Sequence, residues 1–116
     1  MTICRVSGSY RGRCRAVTHN GLVYAVATDT DGSTTLAEQT QRTLAILEQN
    51  LRDAGSGKVG LLQVTVYLRD MSGKPEMDAV WCDWVGPSEN WPQRACVGAD
   101  LAGDDLVEIV AIAAVL

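Results

Sequence analysis

The run LVEIVAIAAV, Leu106 to Val115, constrains the fold more than any other part of the chain. Its β-branched content reads as a strand. A strand sends alternate side chains to opposite faces, yet both sets here are apolar apart from Glu108. Such a strand has to be covered on both sides. Helices of the same chain are the expected cover for one face. With one small domain, a second subunit is the natural cover for the other.

Two stretches supply the helices. Thr35 and Glu38 form a T-x-x-E capping box, and Leu36, Thr40, Thr43, Leu44, Leu47 and Leu51 follow at helical spacing. Gly55 and Gly57 mark its end. Pro75 suits the first turn of a second helix, with Met77, Val80, Trp81, Trp84 and Val85 on its apolar stripe. Between them, Val59 to Arg69 alternates as a strand. Leu62, Val64, Val66 and Leu68 are expected on one face, and Gln63, Thr65, Tyr67 and Arg69 on the other. Upstream, ICRVSG and RCRAVTHN read as strands, His19 to Gly21 as a tight hairpin turn, and Leu22 to Ala27 as the returning strand. TDTDGSTT is a loop by composition. Arg94 to Leu101 and Leu106 to Val115 close the chain as two strands joined through AGDD. The order ββ(β)-α-β-α-ββ predicts a two-layer α+β domain with both helices on one sheet face.

The chain of 116 residues fits one domain, 1–116, with a sizeable core. Fourteen acids against ten bases leave a net charge of −4, which argues against nucleic acid as a partner. The polar, basic N-terminal stretch lacks the apolar region of a signal peptide. No apolar run is long enough for a bilayer, so no membrane partner is expected. The expected compartment is the cytoplasm, with Cys4, Cys14, Cys82 and Cys96 reduced. None of these forms a C-x-x-C, and His19 is the only histidine, so no metal site is expected.

Arg94, Cys96 and Gly98 share one face of their strand, placing a permanent cation and a thiol beside a position with no side chain. Glu108, in its apolar run, would cost on the order of several kcal/mol if buried alone. Two readings follow. Arg94 and Glu108 form a cross-strand ion pair at a subunit seam, or Arg94 forks onto a ligand carboxylate while Glu108 orients a water. Cys96 reads as a small buried hydrophobe or as a nucleophile needing a base. His19 reads as a solvated turn residue. Arg11, Arg13 and Arg15 share a face if the strand reaches Arg11, as a solvated edge. Trp81, Trp84 and Trp91 are expected to pack. GSGKVG lacks the spacing of a phosphate loop.

The segment WPQRACVGADLAGDDLVEIVAIAAV resembles the C-terminal signature of the Rid family, the YjgF-like reactive intermediate deaminases. EQTQRTLAILEQNLRDAGSGKVGLLQVTVYLRDMSGKPEMDAVW resembles the helix, strand and second helix of the same family. The resemblance implies a chorismate-mutase-like fold with a mixed sheet, assembled as a homotrimer around a central barrel with its sites in clefts between subunits. It implies cofactor-free hydrolysis of enamines and imines to 2-keto acids and ammonia, on a small carboxylate or imino acid. A non-catalytic keto-acid binding module on the same fold is the alternative, and an endoribonuclease a weaker one. Carried over by residue, the resemblance makes Arg94 the carboxylate-binding arginine, Cys96 the site cysteine and Glu108 the water-orienting catalytic glutamate. The family's site tyrosine falls near Arg13, with Tyr10 as the rival position. Val26 stands where the family has serine and Asp78 where it has asparagine, which marks a divergent subgroup.

Overall fold

The computed structural model describes residues 2–29 and 31–116; Thr30, within the stretch read as a loop, lies outside them. The strands are β1 (Cys4–Val6), β2 (Ala16–His19), β3 (Leu22–Ala27), β4 (Leu61–Leu68), β5 (Gln93–Gly98) and β6 (Val107–Ala114). The helices are α1 (Leu36–Asp53), between β3 and β4, and α2 (Lys74–Val85), between β4 and β5. The elements follow in the expected order. They form one mixed sheet in the order β1-β2-β3-β6-β4-β5. Every neighbouring pair is antiparallel except β4 and β5, which run parallel because α2 carries the chain back between them.

Local chemistry explains the elements. The β2–β3 hairpin turns on Asn20 and Gly21, at φ 54° and 77°, the left-handed region that an Asn-Gly pair tolerates. The Thr35 hydroxyl caps α1 by accepting from the Glu38 N–H at 3.2 Å. Beyond α1, Gly55 sits at φ 92°.

Both helices lie on one face of the sheet. Leu44, Leu47 and Leu51 of α1 and Met77, Trp81 and Val85 of α2 pack against Val23, Val64, Val66, Leu68, Val107 and Ile109. Each fully buried aliphatic side chain stabilises the fold by about 1.5–3 kcal/mol. The α1 stripe is wider than its leucines and threonines suggest, because Gln39 and Asn50 are also buried on it. Gln39 donates to the Ser33 and Asp104 carbonyls and accepts from the Leu106 N–H, so it ties both loops to the start of β6. Asn50 donates to the Val26 carbonyl and accepts from Arg15.

Three expectations need correction. Leu62 is 49% exposed: a bulge between Leu61 and Gln63 displaces it, and the alternation holds only from Val64 onward. Trp91 is 62% exposed and rests its indole N–H on the Gly86 carbonyl. The strand holding Ala16 does not reach back to Arg11, so Arg11, Arg13 and Arg15 share no strand face.

The opposite face of the sheet is left open. Glu108, Val110, Ile112 and Ala114 of β6 point there, only half-buried, while Val107, Ile109, Ala111 and Ala113 are covered by the helices. Tyr24 and Val26 stand in register with Ile112 and Val110 on this face. With Thr65 and Gln63 they line a shallow hollow of about 380 Å³. No helix among the described residues is long and apolar enough to cross a membrane.

Candidate functional site

Arg94 is placed by β5, at one edge of the sheet. It stands in register with Val64, a residue 1% exposed beneath the helices, so its side chain turns to the helix side. There α2 surrounds it. Nη2 donates to the Asp78 carboxylate at 2.8 Å, Nη1 approaches the Met77 sulfur at 3.8 Å, and the guanidinium carbon sits 5.4 Å from the Trp81 ring centre. The cation is thus held from three sides by one helix, through an ion pair, a sulfur and an aromatic ring. Lys74, one turn before Asp78, donates to its other oxygen at 2.7 Å. Burial alone would raise the Asp78 carboxyl, but the bonds from Lys74 and Arg94 outweigh it, and the group lies below the ordinary carboxylate range.

Cys96 lies two residues along the same face, half-buried against the core. Burial pushes its thiol up, although the charges of Arg94 and Lys74 pull the other way. A thiol in that environment is a poor nucleophile at neutral pH. Beside it, a side chain at Gly98 would begin 2.9 Å from the Met71 Cγ, so Met71 packs over this glycine.

Glu108 is not where a cross-strand pair with Arg94 requires it. Strand β4 lies between β5 and β6. Glu108 stands in register with Tyr67 on the open face, whereas Arg94 points to the helices. The cross-strand ion pair is therefore overturned within the chain: Arg94 takes Asp78 as its partner, and among the described residues Glu108 enters no ion pair. The sequence names both residues. It does not reveal the strand order, because a parallel β4–β5 pair leaves no mark in the periodicity of either strand.

Arg13 lies far along the sheet, in the loop before β2. Its guanidinium stacks 4.4 Å from the Tyr10 ring centre and donates to the Thr28 hydroxyl at 3.2 Å. The two rival positions, Tyr10 and Arg13, thus touch each other. With Ser9, Val26, Thr28 and Asn50 they line a pocket of about 200 Å³. Strands β3, β6 and β4 separate β2 from β5, so one chain does not bring Arg13 to Arg94. Arg15 lines the same pocket and is engaged by Asn50 and Asp53 at 2.7 and 2.9 Å. His19 ends β2, with Nδ1 3.3 Å from the Thr2 carbonyl.

Sequence reasoning missed the position of Asp78 as the counter-ion of Arg94. One signal was available: Asp78 adjoins Met77 on a stripe already assigned to the core, and Lys74 precedes it by one helical turn.

A six-stranded mixed sheet with two helices on one face and the other face bare is a two-layer α+β fold. The chain is a member of the Rid (YjgF) family: the family model described as Endoribonuclease L-PSP matches residues 8–115. Among curated proteins it is similar to a RutC family protein of Haemophilus ducreyi, 38% identical over 99 residues covering 84% of each chain. It is also similar to the RutC family protein YoaB of Escherichia coli, 33% identical over 116 residues covering 99% of this chain and all of that one. Among solved structures, a YjgF family member from Neisseria meningitidis is 37% identical with a TM-score of 0.90, covering 98% of this chain and 95% of that one. A YjgF-family member from Mycobacterium tuberculosis is 29% identical with a TM-score of 0.86, covering 98% and 100%. These neighbours bear out the mixed-sheet α+β fold with two helices.

Proposed function

We propose that this protein hydrolyses reactive imines or enamines of small carboxylates, releasing ammonia and a 2-keto acid, in clefts between the subunits of a homotrimer. The observation that carries this reading is the placement of Arg94: a half-sequestered guanidinium at a sheet edge, steadied by α2, beside a neutral thiol. A planar cation in that setting suits a carboxylate. The open β6 face supports the assembly, since Val110 and Ile112 lie there half-buried and otherwise uncovered. Arg94, Glu108 and Arg13 do not converge within one chain, so the reading requires a neighbouring subunit to complete each cleft.

The chemistry is modest. Arg94 holds the ligand carboxylate. Glu108 accepts a proton from a water whose oxygen bonds to the imine carbon, and the C=N electron pair moves to nitrogen. The proton passes to that nitrogen to give an amino alcohol; its hydroxyl proton then follows to the nitrogen through Glu108 or water, the C–N bond breaks, and ammonia leaves as the carbonyl forms. Imine and water are consumed, and keto acid and ammonia result. Positioning supplies most of the effect, and no cofactor enters.

The family description names an endoribonuclease. A net charge of −4 and a single histidine fit that activity poorly. A non-catalytic keto-acid binder is the second reading, favoured by Val26, an aliphatic side chain on the open face at the position where the family has serine. The test separates these readings. Freshly generated 2-imino acids are offered to the protein, and loss of the imine signal is followed for wild type, Arg94→Ala and Glu108→Gln. Turnover lost in both variants, with 2-oxobutyrate binding lost only in Arg94→Ala, supports the hydrolase. Arg94→Lys should bind 2-oxobutyrate more weakly by roughly 1–3 kcal/mol, since lysine lacks the fork. No turnover by wild type, with binding intact, leaves the binder; binding unchanged in Arg94→Lys removes Arg94 from both.

A further inference from the structure

Asp78 raises a problem for any ligand anion. Its Oδ1 accepts from Arg94 Nη2 at 2.8 Å and its Oδ2 from Lys74 Nζ at 2.7 Å. The pair with Arg94 is not bidentate, because the second oxygen belongs to Lys74. The guanidinium therefore keeps donors to offer, and its side chain remains 18% exposed. A carboxylate arriving at those donors stands beside a second, fixed carboxylate. A plain keto acid brings only negative charge to that place. A ligand with a cationic nitrogen next to its carboxylate brings Asp78 a partner as well.

We infer that Asp78 is a specificity-determining residue, a built-in competitor for Arg94 that disfavours plain keto acids and favours ligands pairing a carboxylate with an adjacent ammonium or iminium. The inference rests on the reading of Arg94 as the carboxylate clamp. It gives the site a direction: the protonated imino acid is accepted and the keto acid product is released, since hydrolysis removes the ligand's own positive charge beside Asp78. Lys74 keeps the carboxylate fixed, so Asp78 stays beside the ligand rather than swinging into solvent. Like-charge juxtaposition of this kind discriminates by repelling the wrong ligand.

The experiment titrates the assembled protein with pyruvate and with alanine, which share a three-carbon skeleton and differ at the α position. Wild type, Asp78→Asn, Asp78→Ser and Arg94→Ala are compared, with melting temperatures taken alongside. Both Asp78 variants should bind pyruvate roughly three- to tenfold more tightly than wild type. Alanine should gain nothing, so the pyruvate-to-alanine preference shifts by at least that factor. Two different replacements keep the test valid if one of them folds poorly. If Arg94→Ala abolishes pyruvate binding while both Asp78 variants bind pyruvate no better than wild type, the competitor role is overturned and the clamp stands. If Arg94→Ala binds pyruvate as wild type does, the clamp itself is overturned, and this inference with it.

Discussion

Arg94 and Glu108 stand on opposite faces of one sheet, with β4 between their strands. Each therefore faces different surroundings: Arg94 looks into the cradle of α2, and Glu108 looks onto the bare apolar face. Whatever the two do together requires a second chain.

The first prediction concerns that face. Ile112 lies half-buried in register with Tyr24 at the centre of the open side. Ile112→Lys should break the assembly, because a lysine there would be desolvated without a partner. Light scattering should read a trimer of 12.4 kDa chains for wild type and mostly monomer for the variant. A wild-type monomer at micromolar concentration would sink the shared-cleft model.

The second concerns Cys96. Its thiol is raised by burial and stays neutral around pH 7. Cys96→Ala should keep most ligand binding and most turnover, since imine hydrolysis needs no covalent intermediate. A thiol reagent should label the exposed Cys4 and Cys82 well before Cys96. Turnover abolished in an intact Cys96→Ala assembly would show that the thiol reacts.

The third is a pH dependence. The Asp78 carboxyl is lowered in the folded state, so it adds stability above its unfolded value of about 3.9. That stability is lost as pH falls through the lower, folded value. The melting temperature of wild type should decline from about pH 4 downward, and Asp78→Asn should decline less steeply over the same window. Parallel acid limbs in the two proteins would mean that the ion pair adds nothing to folding.

The fourth addresses Thr43, fully buried on α1. Its hydroxyl has no hydrogen-bond partner among the described residues. Thr43→Val keeps the shape and removes the orphaned oxygen. It should raise stability by about 1 kcal/mol, read from denaturant midpoints at unchanged slope. A loss of 1 kcal/mol or more would reveal a partner for the hydroxyl.

Much of this fold was legible in the sequence. The order of strands and helices came from periodicities of 2 and 3.6, and the α1 cap and the Asn-Gly turn came from local chemistry that acts within four residues. Arg94 and Cys96 were found together because they share one strand face. What the sequence hid was relational. The insertion of β6 between β3 and β4, the bulge that turns Leu62 outward and the Met71 side chain packing over Gly98 depend on partners distant along the chain. Of the two readings of Arg94, the cross-strand pair with Glu108 holds only where consecutive strands are neighbours, and β4 lies between β5 and β6. The crossover through α2 gave Arg94 the partner Asp78 instead.

The parallel β4–β5 pair has a kinetic consequence. Asp78 and Arg94 are 16 residues apart and belong to one β-α-β unit, so closing their contact restricts only a short loop. The pairing of β3 with β6, by contrast, joins Ala27 to Ile109 and waits for nearly the whole chain. Topology of this kind separates early events from late ones. In pulse-labelled refolding, amides of β4, α2 and β5 should gain protection before those of β3 and β6. The ion pair at the candidate site would then form in a nascent half-sheet, before the open face of β3 and β6 exists.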